Sequence, residues 1–268
     1  MQEFIITDAL INSLKSIAVE AGSAIMDVYH TDYDIRIKTD NSPVTDADKK
    51  ANTIITNKLN QLTPDIPILS EEGRNIPFSE RSNWKYFWLI DPLDGTKEFI
   101  KKNDEFTVNI ALIENRKPIF GVVYAPALYV LYWGEVGVGA YKKNKQSLKI
   151  KINVLDALNN PVIVAGSRSH PSERMNAFMG QFKESEVWPM GSSLKVCLVA
   201  DGSVHLYPRL GPTMEWDTGA AHAILKASGG EVIIHGTNEP LRYNKENLLN
   251  PEFIASGLNV ISTINHLN

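Results

Sequence analysis

The chain holds a single cysteine, Cys197, among 268 residues. No intramolecular disulfide can form, which fits a reducing compartment. Cys197 lies in KVCLVA, among apolar neighbours, and reads as a small buried hydrophobe. One cysteine and six histidines without a cluster give no basis for a structural zinc site. No apolar run approaches the ~20 residues that cross a bilayer. The N-terminus lacks the charged-then-apolar pattern of a signal peptide. An excess of one charge is missing too. Lys and Arg number 27 against 31 Asp and Glu, so no basic field attracts a nucleic-acid polymer. Small anionic substrates stay open, because local cations or a metal can overcome a net charge of -4. There is no repeat, low-complexity tract or long linker.

What is present, 43% hydrophobic residues, suffices for a sizeable core. The length suits one large domain or two closely packed subdomains. Leu10, Leu14, Ile17, Ala21, Ile25 and Val28 recur at helical intervals, predicting an amphipathic helix that covers a sheet. YDIRIKTD alternates like a strand and NSPVT breaks it. DADKKANTIITNKLNQL then repeats the helical spacing through Ala51, Ile54, Ile55, Leu59 and Leu62. After a turn at TPDIP, PILSEEG reads as a short strand entering an acidic loop. YFWLI reads as a strand ending at Asp91. FTVNIALIE, PIFGVVYAP, YVLYWGE and the hairpin-like VGVGAYKKNKQSLKI follow as further strands. From about residue 155 strands and helices alternate: PVIVAGS, SERMNAFMGQF, EVWPMGS, SLKVCLVADG, VHLYPR, TGAAHAILKASG, GEVIIHG. This change of rhythm predicts an α+β half, residues 1–150, and an α/β half, residues 151–268, meeting at a cleft.

WLIDPLDGTKEFI, residues 88–100, poses the chemical problem. Asp91 and Asp94 stand close together where a buried strand ends, and they repel each other unless something positive joins them. Pro92 rules out a regular helix. A tight turn through Gly95 would aim both carboxylates and the Leu93 carbonyl at one place. Magnesium takes oxygen ligands of this kind. Alone, DPLDG fits an ordinary surface turn equally well. Glu71 and Glu72 end the strand PILS, as members of a site or of an exposed acidic loop. Asp217 precedes a helix, as a ligand or as its N-cap. Asp48 lies near a helix start, where helix-terminus electrostatics also favours an acid. Thr96 opens the helical turn KEFIKK, where a hydroxyl and free N–H groups suit phosphate oxygens or simply cap the helix.

WLIDPLDGTKEF and EWDTGAAHAILKASGG, with LSEEG ahead of them, resemble the signatures of the lithium-sensitive, magnesium-dependent phosphatases related to inositol monophosphatase. Gly219 departs from that pattern, where the family usually has Ala or Cys, and is expected to loosen the helix start by at most ~1 kcal/mol. NSPVTDAD, SRSH, GSSLKVCLVADG and LYPRLGPTMEWDT are most similar to the bacterial 3'(2'),5'-bisphosphate nucleotidases of that superfamily. The resemblance implies a layered αβαβα sandwich. It also implies removal of the 3'-phosphate from 3'-phosphoadenosine 5'-phosphate, a by-product of sulfate activation, to give AMP. By position it implies two or more magnesium ions. Glu71, Asp91 and the Leu93 carbonyl would hold the first, and Asp91, Asp94 and Asp217 the second. Asp48 and Thr96 match the pair that orients and deprotonates the attacking water, with Glu71 counted beside them as catalytic and Glu72 behind. Glu71, Leu93, Asp94, Gly95, Thr96 and Asp217 would also meet the substrate. Ser167, His170, Gly191 and Lys195 match nucleotide-contacting positions, with Arg168 and Arg209 as weaker candidates. Without the resemblance, Lys195 reads as part of a solvated helix face and His170 as a loop residue.

Five carboxylates repel a phosphate ester, and metal ions reverse that sign. The implied chemistry is in-line attack by water, one ion acidifying the water and another stabilising the departing 3'-oxygen. Lithium inhibition follows from the resemblance. Two readings compete: the same chemistry on inositol monophosphate or fructose 1,6-bisphosphate, and a non-catalytic sensor of magnesium or a phosphorylated metabolite. The expected partner is a small nucleotide bisphosphate. The expected location is the cytoplasm, and the resemblance allows peripheral contact with the inner face of the cell membrane.

Overall fold

The structure is a computed structural model that describes residues 4–31, 35–37, 43–146, 148–166 and 173–265. Helix α1 (Asp8–Tyr29) begins where the Thr7 hydroxyl accepts the Leu10 N–H. It buries Leu14, Ile17, Ala21, Ile25 and Val28 as their spacing predicts, while Leu10 stays half-buried. Strands β1 (Ile35–Ile37) and β2 (Pro43–Thr45) pair antiparallel, so PVT, expected as a break, is a strand leading straight into α2 (Asp46–Leu62).

A seven-stranded sheet follows. Its strands are β3 (Ile68–Ser70), β4 (Tyr86–Asp94), β5 (Thr107–Glu114), β6 (Lys117–Ala125), β7 (Val130–Glu135), β8 (Gly139–Lys143) and β9 (Lys149–Ile152), neighbours in that order. The β3–β4 pair is parallel and the other pairs antiparallel. Short helices α3 (Phe78–Arg81) and α4 (Thr96–Ile100) flank β4. The second sheet comprises β10 (Val162–Gly166), β11 (Ser185–Pro189), β12 (Leu206–Arg209), β13 (Gly230–Ile234) and β14 (Phe253–Gly257), in the order β11-β10-β12-β14-β13. Its helices are α5 (Glu173–Met179), α6 (Leu194–Ala200), α7 (Glu215–Ala227) and α8 (Leu258–Asn265).

Helices α1 and α2 pack on one face of the seven-stranded sheet, and α7 on the other. Helix α6 joins α7 against the second sheet, and α5 and α8 cover its far side. The layers run α, β, α, β, α. Alternation along β4 and β5 divides the core. Trp88, Ile90, Ile110 and Leu112 face α1 and α2, while Leu89, Ala111 and Ile113 face α7. A sheet covered on both faces reads as the near-continuous apolar runs seen in the sequence. Strand β14 and helix α8 were not anticipated. FIASG is buried throughout, so it carries no polar alternation to mark it. Cys197 is fully buried in α6, and burial pushes its thiol well above the ordinary range. Among the described residues no helix is long and apolar enough to cross a membrane.

Helix α7 lies unusually close to the sheet. Gly121 and Gly134 sit opposite each other on β6 and β7, beneath it. A Cβ on Gly121 would stand 2.1 Å from the Ala220 carbonyl oxygen, and one on Gly134 3.0 Å from Ile224 Cα. Gly219 of α7 faces β4, where its Cβ would meet the end of the Leu89 side chain, Cδ2 at 2.8 Å. Gly121→Ala should therefore destabilise the protein by about 1–3 kcal/mol, the usual cost of overpacking. Gly211→Ala, whose Cβ meets nothing within 4 Å, should stay within about 0.5 kcal/mol of the parent. Urea denaturation of both variants checks this.

Candidate active site

Strand β4 delivers two acids. Instead of the expected tight turn after Ile90, the strand continues to Asp94 through a bulge. Asp91 pairs with Asn109 and Asp94 with Thr107, so three steps on β4 meet two on β5. Pro92 offers no N–H to the ladder. The Leu93 N–H donates to Asp91 Oδ1 at 3.0 Å. Residues three apart on a regular strand point to opposite faces. The bulge overrides this, and one oxygen each of Asp91, Asp94 and Asp217 lies within 4.8 Å of the others.

Asp217 comes from the first turn of α7. The helix starts at Glu215, so Asp217 is its third residue and not the N-cap, and its Oδ2 accepts the Met214 N–H at 2.9 Å. Glu71 follows β3, whose Ser70 lies opposite Ile90, and its N–H donates to the Ile90 carbonyl at 3.1 Å. This sets Glu71 beside Asp91, though outside the group of three. Asp48 is the third residue of α2. Its Oδ2 accepts the Thr45 N–H and hydroxyl, both at 2.7 Å, closing a capping box. Its Oδ1 accepts the Thr96 hydroxyl at 3.3 Å, and that hydroxyl also lies 3.3 Å from the Leu93 carbonyl oxygen. Thr96 is the first residue of α4. The N-cap is Gly95, at φ 89°, a left-handed conformation that suits glycine.

The electrostatics are severe. Burial first, and then Glu71, Asp94, Asp217 and Asp48, push the Asp91 carboxyl well above its usual range. Burial, then Asp94, raises Asp217 to about 8. Burial raises Asp48, with Glu72 adding to it. Hard oxygen donors in mutual repulsion fit a divalent cation such as magnesium. Asp91, Asp94 and Asp217 could hold it directly, with Glu71 at the edge.

Asp94 and Asp217 open onto a cavity of about 430 Å³, whose far wall includes residues 190–193, Lys195, Tyr207 and Arg209. Lys195 is buried, not on a solvated face. Its Nζ donates to the Ser192 carbonyl at 2.7 Å and the Met190 carbonyl at 3.2 Å, and burial lowers its pKa to about 8. The Arg209 guanidinium is anchored on the Gly211 and Pro212 carbonyls. Gly191 lines the cavity, but its N–H is taken by Glu105 Oε2 at 2.8 Å, and a Cβ there would stand 2.8 Å from the Glu105 carbonyl oxygen. Ser167, Arg168 and His170 lie outside the described residues.

Several residues went unforeseen. Ser192 Oγ and Ser193 N–H both donate to Asp94 Oδ2, at 2.5 and 2.6 Å. Thr107 bridges the two serine hydroxyls, and Asn109 accepts that of Ser193 at 2.8 Å. Ser192 holds φ 55° to do so. Lys97 and Lys101, one helical turn apart in TKEFIKK, also line the cavity. Their spacing was legible; their direction was not.

The inositol monophosphatase family model matches residues 7–261. The chain belongs to the inositol monophosphatase family. It is 47% identical over 251 residues to a protein of Escherichia coli K12 called 3'(2'),5'-bisphosphate nucleotidase CysQ, covering 92% of this chain and 99% of that one. The crystal structure of CysQ from Bacteroides thetaiotaomicron, described as a bacterial member of the inositol monophosphatase family, superposes with a TM-score of 0.81 at 41% identity, over 92% of this chain and 97% of that one. The extragenic suppressor protein suhB of Bartonella henselae matches at 0.77 and 23% identity, over 97% and 98% of the two chains, a likeness of fold.

A carboxyl whose pKa is raised by folding stabilises the fold while protonated and loses that contribution as pH climbs through the folded value. For Asp217 the window runs from the ordinary aspartate value of 3.8 to about 8. A cation must displace those protons. The gain in melting temperature when magnesium is added to chelator-treated protein should therefore grow between about pH 5.5 and pH 8.5. Differential scanning fluorimetry reads this directly, and Asp217→Asn should flatten the trend.

Proposed function

We propose that this chain is a metal-dependent 3'(2'),5'-bisphosphate nucleotidase that converts 3'-phosphoadenosine 5'-phosphate to AMP and phosphate. The observation that carries this is the 47% identity over almost the whole length of the Escherichia coli nucleotidase. The cavity supports it, because Lys195, Arg209, Lys97 and Lys101 line the same space as Asp94 and Asp217, and that space suits a doubly phosphorylated ligand.

The residue roles belong to the same proposal. Glu71, Asp91, the Leu93 carbonyl, Asp94 and Asp217 hold two or more magnesium ions. Bound there, magnesium supplies the positive charge that lets an ester approach, acidifies water and offsets charge on the departing oxygen. Asp48 is pinned through Oδ2 to Thr45, which leaves Oδ1 to act through the Thr96 hydroxyl. Burial keeps Asp48 more basic than a surface aspartate, as a proton acceptor requires. Gly95 and Thr96 offer N–H groups to the phosphate. Ser167, His170, Gly191 and Lys195 receive the nucleotide. Residues 1–150 supply most of the carboxylates and residues 151–268 most of the nucleotide contacts. The reaction, placed in sulfur metabolism, belongs in the cytoplasm.

Phosphate release from 3'-phosphoadenosine 5'-phosphate, its 2'-isomer, inositol monophosphate and fructose 1,6-bisphosphate, each with magnesium, tests the substrate. The nucleotide should lead. Preference for inositol phosphate would reassign the substrate, and binding without turnover would indicate a sensor. Asp91→Asn should lose at least about 100-fold in kcat at saturating magnesium, by analogy with the removal of one electrostatic catalytic group, while circular dichroism stays unchanged. Near-parental turnover would sink the metal assignment.

A further inference from the structure

Residues 142–151, KKNKQSLKIK, hold five lysines and no acid. Lys142 is accounted for, paired with Asp201 at 2.7 Å. Lys143 and Lys149 instead approach Lys15 of α1. Lys15 Nζ stands 4.7 Å above the Trp133 ring, and Lys149 Nζ lies 5.9 Å from Trp133 and 4.0 Å from Tyr141. Trp133 and Tyr141 stack at 5.5 Å. Between α1 and strands β7 and β8 is an open depression of about 400 Å³, with Lys15 and Lys143 on its walls and Leu131 and Trp133 at its base.

Nothing in the described structure neutralises these cations. Glu20 borders the depression, but its carboxylate is held by Lys58 at 2.7 Å. Among the described residues, Lys15, Lys143 and Lys149 form no ion pair. Burial, then Lys149 and Lys143, lower the Lys15 pKa, and Asp8 opposes them least of all. Lysines on an edge strand guard against sheet-to-sheet pairing, which accounts for Lys149 on β9. It does not account for Lys15, which sits half-buried on a helix over the sheet face. Like charges gathered at a partly desolvated spot are costly unless an anion joins them.

We propose that this depression is a second anion site, in which Lys15 and Lys143 hold a compact, multiply charged phosphate- or sulfate-bearing small molecule, while Lys149 adds its charge from beside Trp133 and Tyr141. Its volume lies within the range of small-molecule pockets. Both aromatic faces already carry ammonium groups, so recognition is by charge rather than by stacking a base. The concave shape favours a small ligand over a flat anionic surface. The site lies on the α1 face of the seven-stranded sheet, whereas Asp217 arrives on α7 from the other face. Its occupant is therefore separate from the ester in the catalytic cavity.

The test is a titration of the full chain with tripolyphosphate in magnesium-free buffer, followed by the indole N–H resonances of the five tryptophans, with Trp133 assigned through Trp133→Phe. The Trp133 signal should shift saturably. Affinity should fall about tenfold or more in Lys15→Ala/Lys149→Ala, and similarly in Lys143→Ala/Lys149→Ala, which alters exposed strand positions only. Neither variant should melt below the parent, and both should keep its phosphatase activity. Binding should weaken steeply with salt. An unmoved Trp133 signal, parental affinity in either variant, or the same shift with sodium chloride at matched ionic strength would overturn the proposal. So would lysine-dependent binding to phosphatidylglycerol vesicles with no response to tripolyphosphate, which would assign the surface to lipid.

Discussion

The carboxyl of Asp91 is buried with Glu71, Asp94, Asp217 and Asp48 as its strongest electrostatic neighbours. Four separate segments bring these acids together: the start of α2, the end of β3, the bulge of β4 and the first turn of α7. Each fold element ends or distorts where its acid is needed. Such an arrangement is unfavourable for the protein alone, since burial and like charge both oppose ionisation. A divalent cation removes both objections at once. The fold around the site is best understood as the scaffold that keeps these groups close in spite of their repulsion.

That scaffold is tied across the cleft. The turn at residues 190–193 gives Asp94 two hydrogen bonds on one oxygen, and Thr107 and Asn109 hold the serines that make them. Lys195 pulls on the same turn through the Ser192 and Met190 carbonyls, and Glu105 holds Gly191. The left-handed conformation of Ser192, uncommon for a residue with a side chain, persists because these bonds over-determine it. The far wall of the cavity and the clustered acids thus share hydrogen bonds, so the two parts of the site cannot shift independently.

How much of this was legible depended on the kind of signal. Asp91, Asp94 and Asp217 could be singled out because acids after apolar strands or at helix starts form local patterns. The bulge could not, because Asp, Pro and Gly mark turns and bulges alike, and only pairing with Asn109 and Thr107 separates them. Lys195 misleads for a related reason. A lysine at helical spacing suggests a solvated face, but α6 lies between layers and buries most of its surface. Ser192 and Thr107, 85 positions apart, have no periodicity to connect them. The layer order and the division into two sheets followed from rhythm and resemblance. Strand β14, buried throughout, had no alternation to betray it.

The glycines complete the geometry. A metal ion would be held at short, narrowly defined distances by its oxygen ligands, so the donors tolerate little displacement. Asp217 rides on α7, and the distance of α7 from the sheet sets how near it comes to Asp91. Gly121 and Gly134 remove side chains from the sheet, and Gly219 removes one from the helix at the β4 contact. A methyl group on Gly121 would overlap the Ala220 backbone, and the helix would have to lift. Ala220 lies less than one turn from Asp217, so that lift would draw the acid away from its partners. Positions that touch neither metal nor substrate therefore set the carboxylate spacing, and packing at the sheet face and chemistry at its edge are a single constraint.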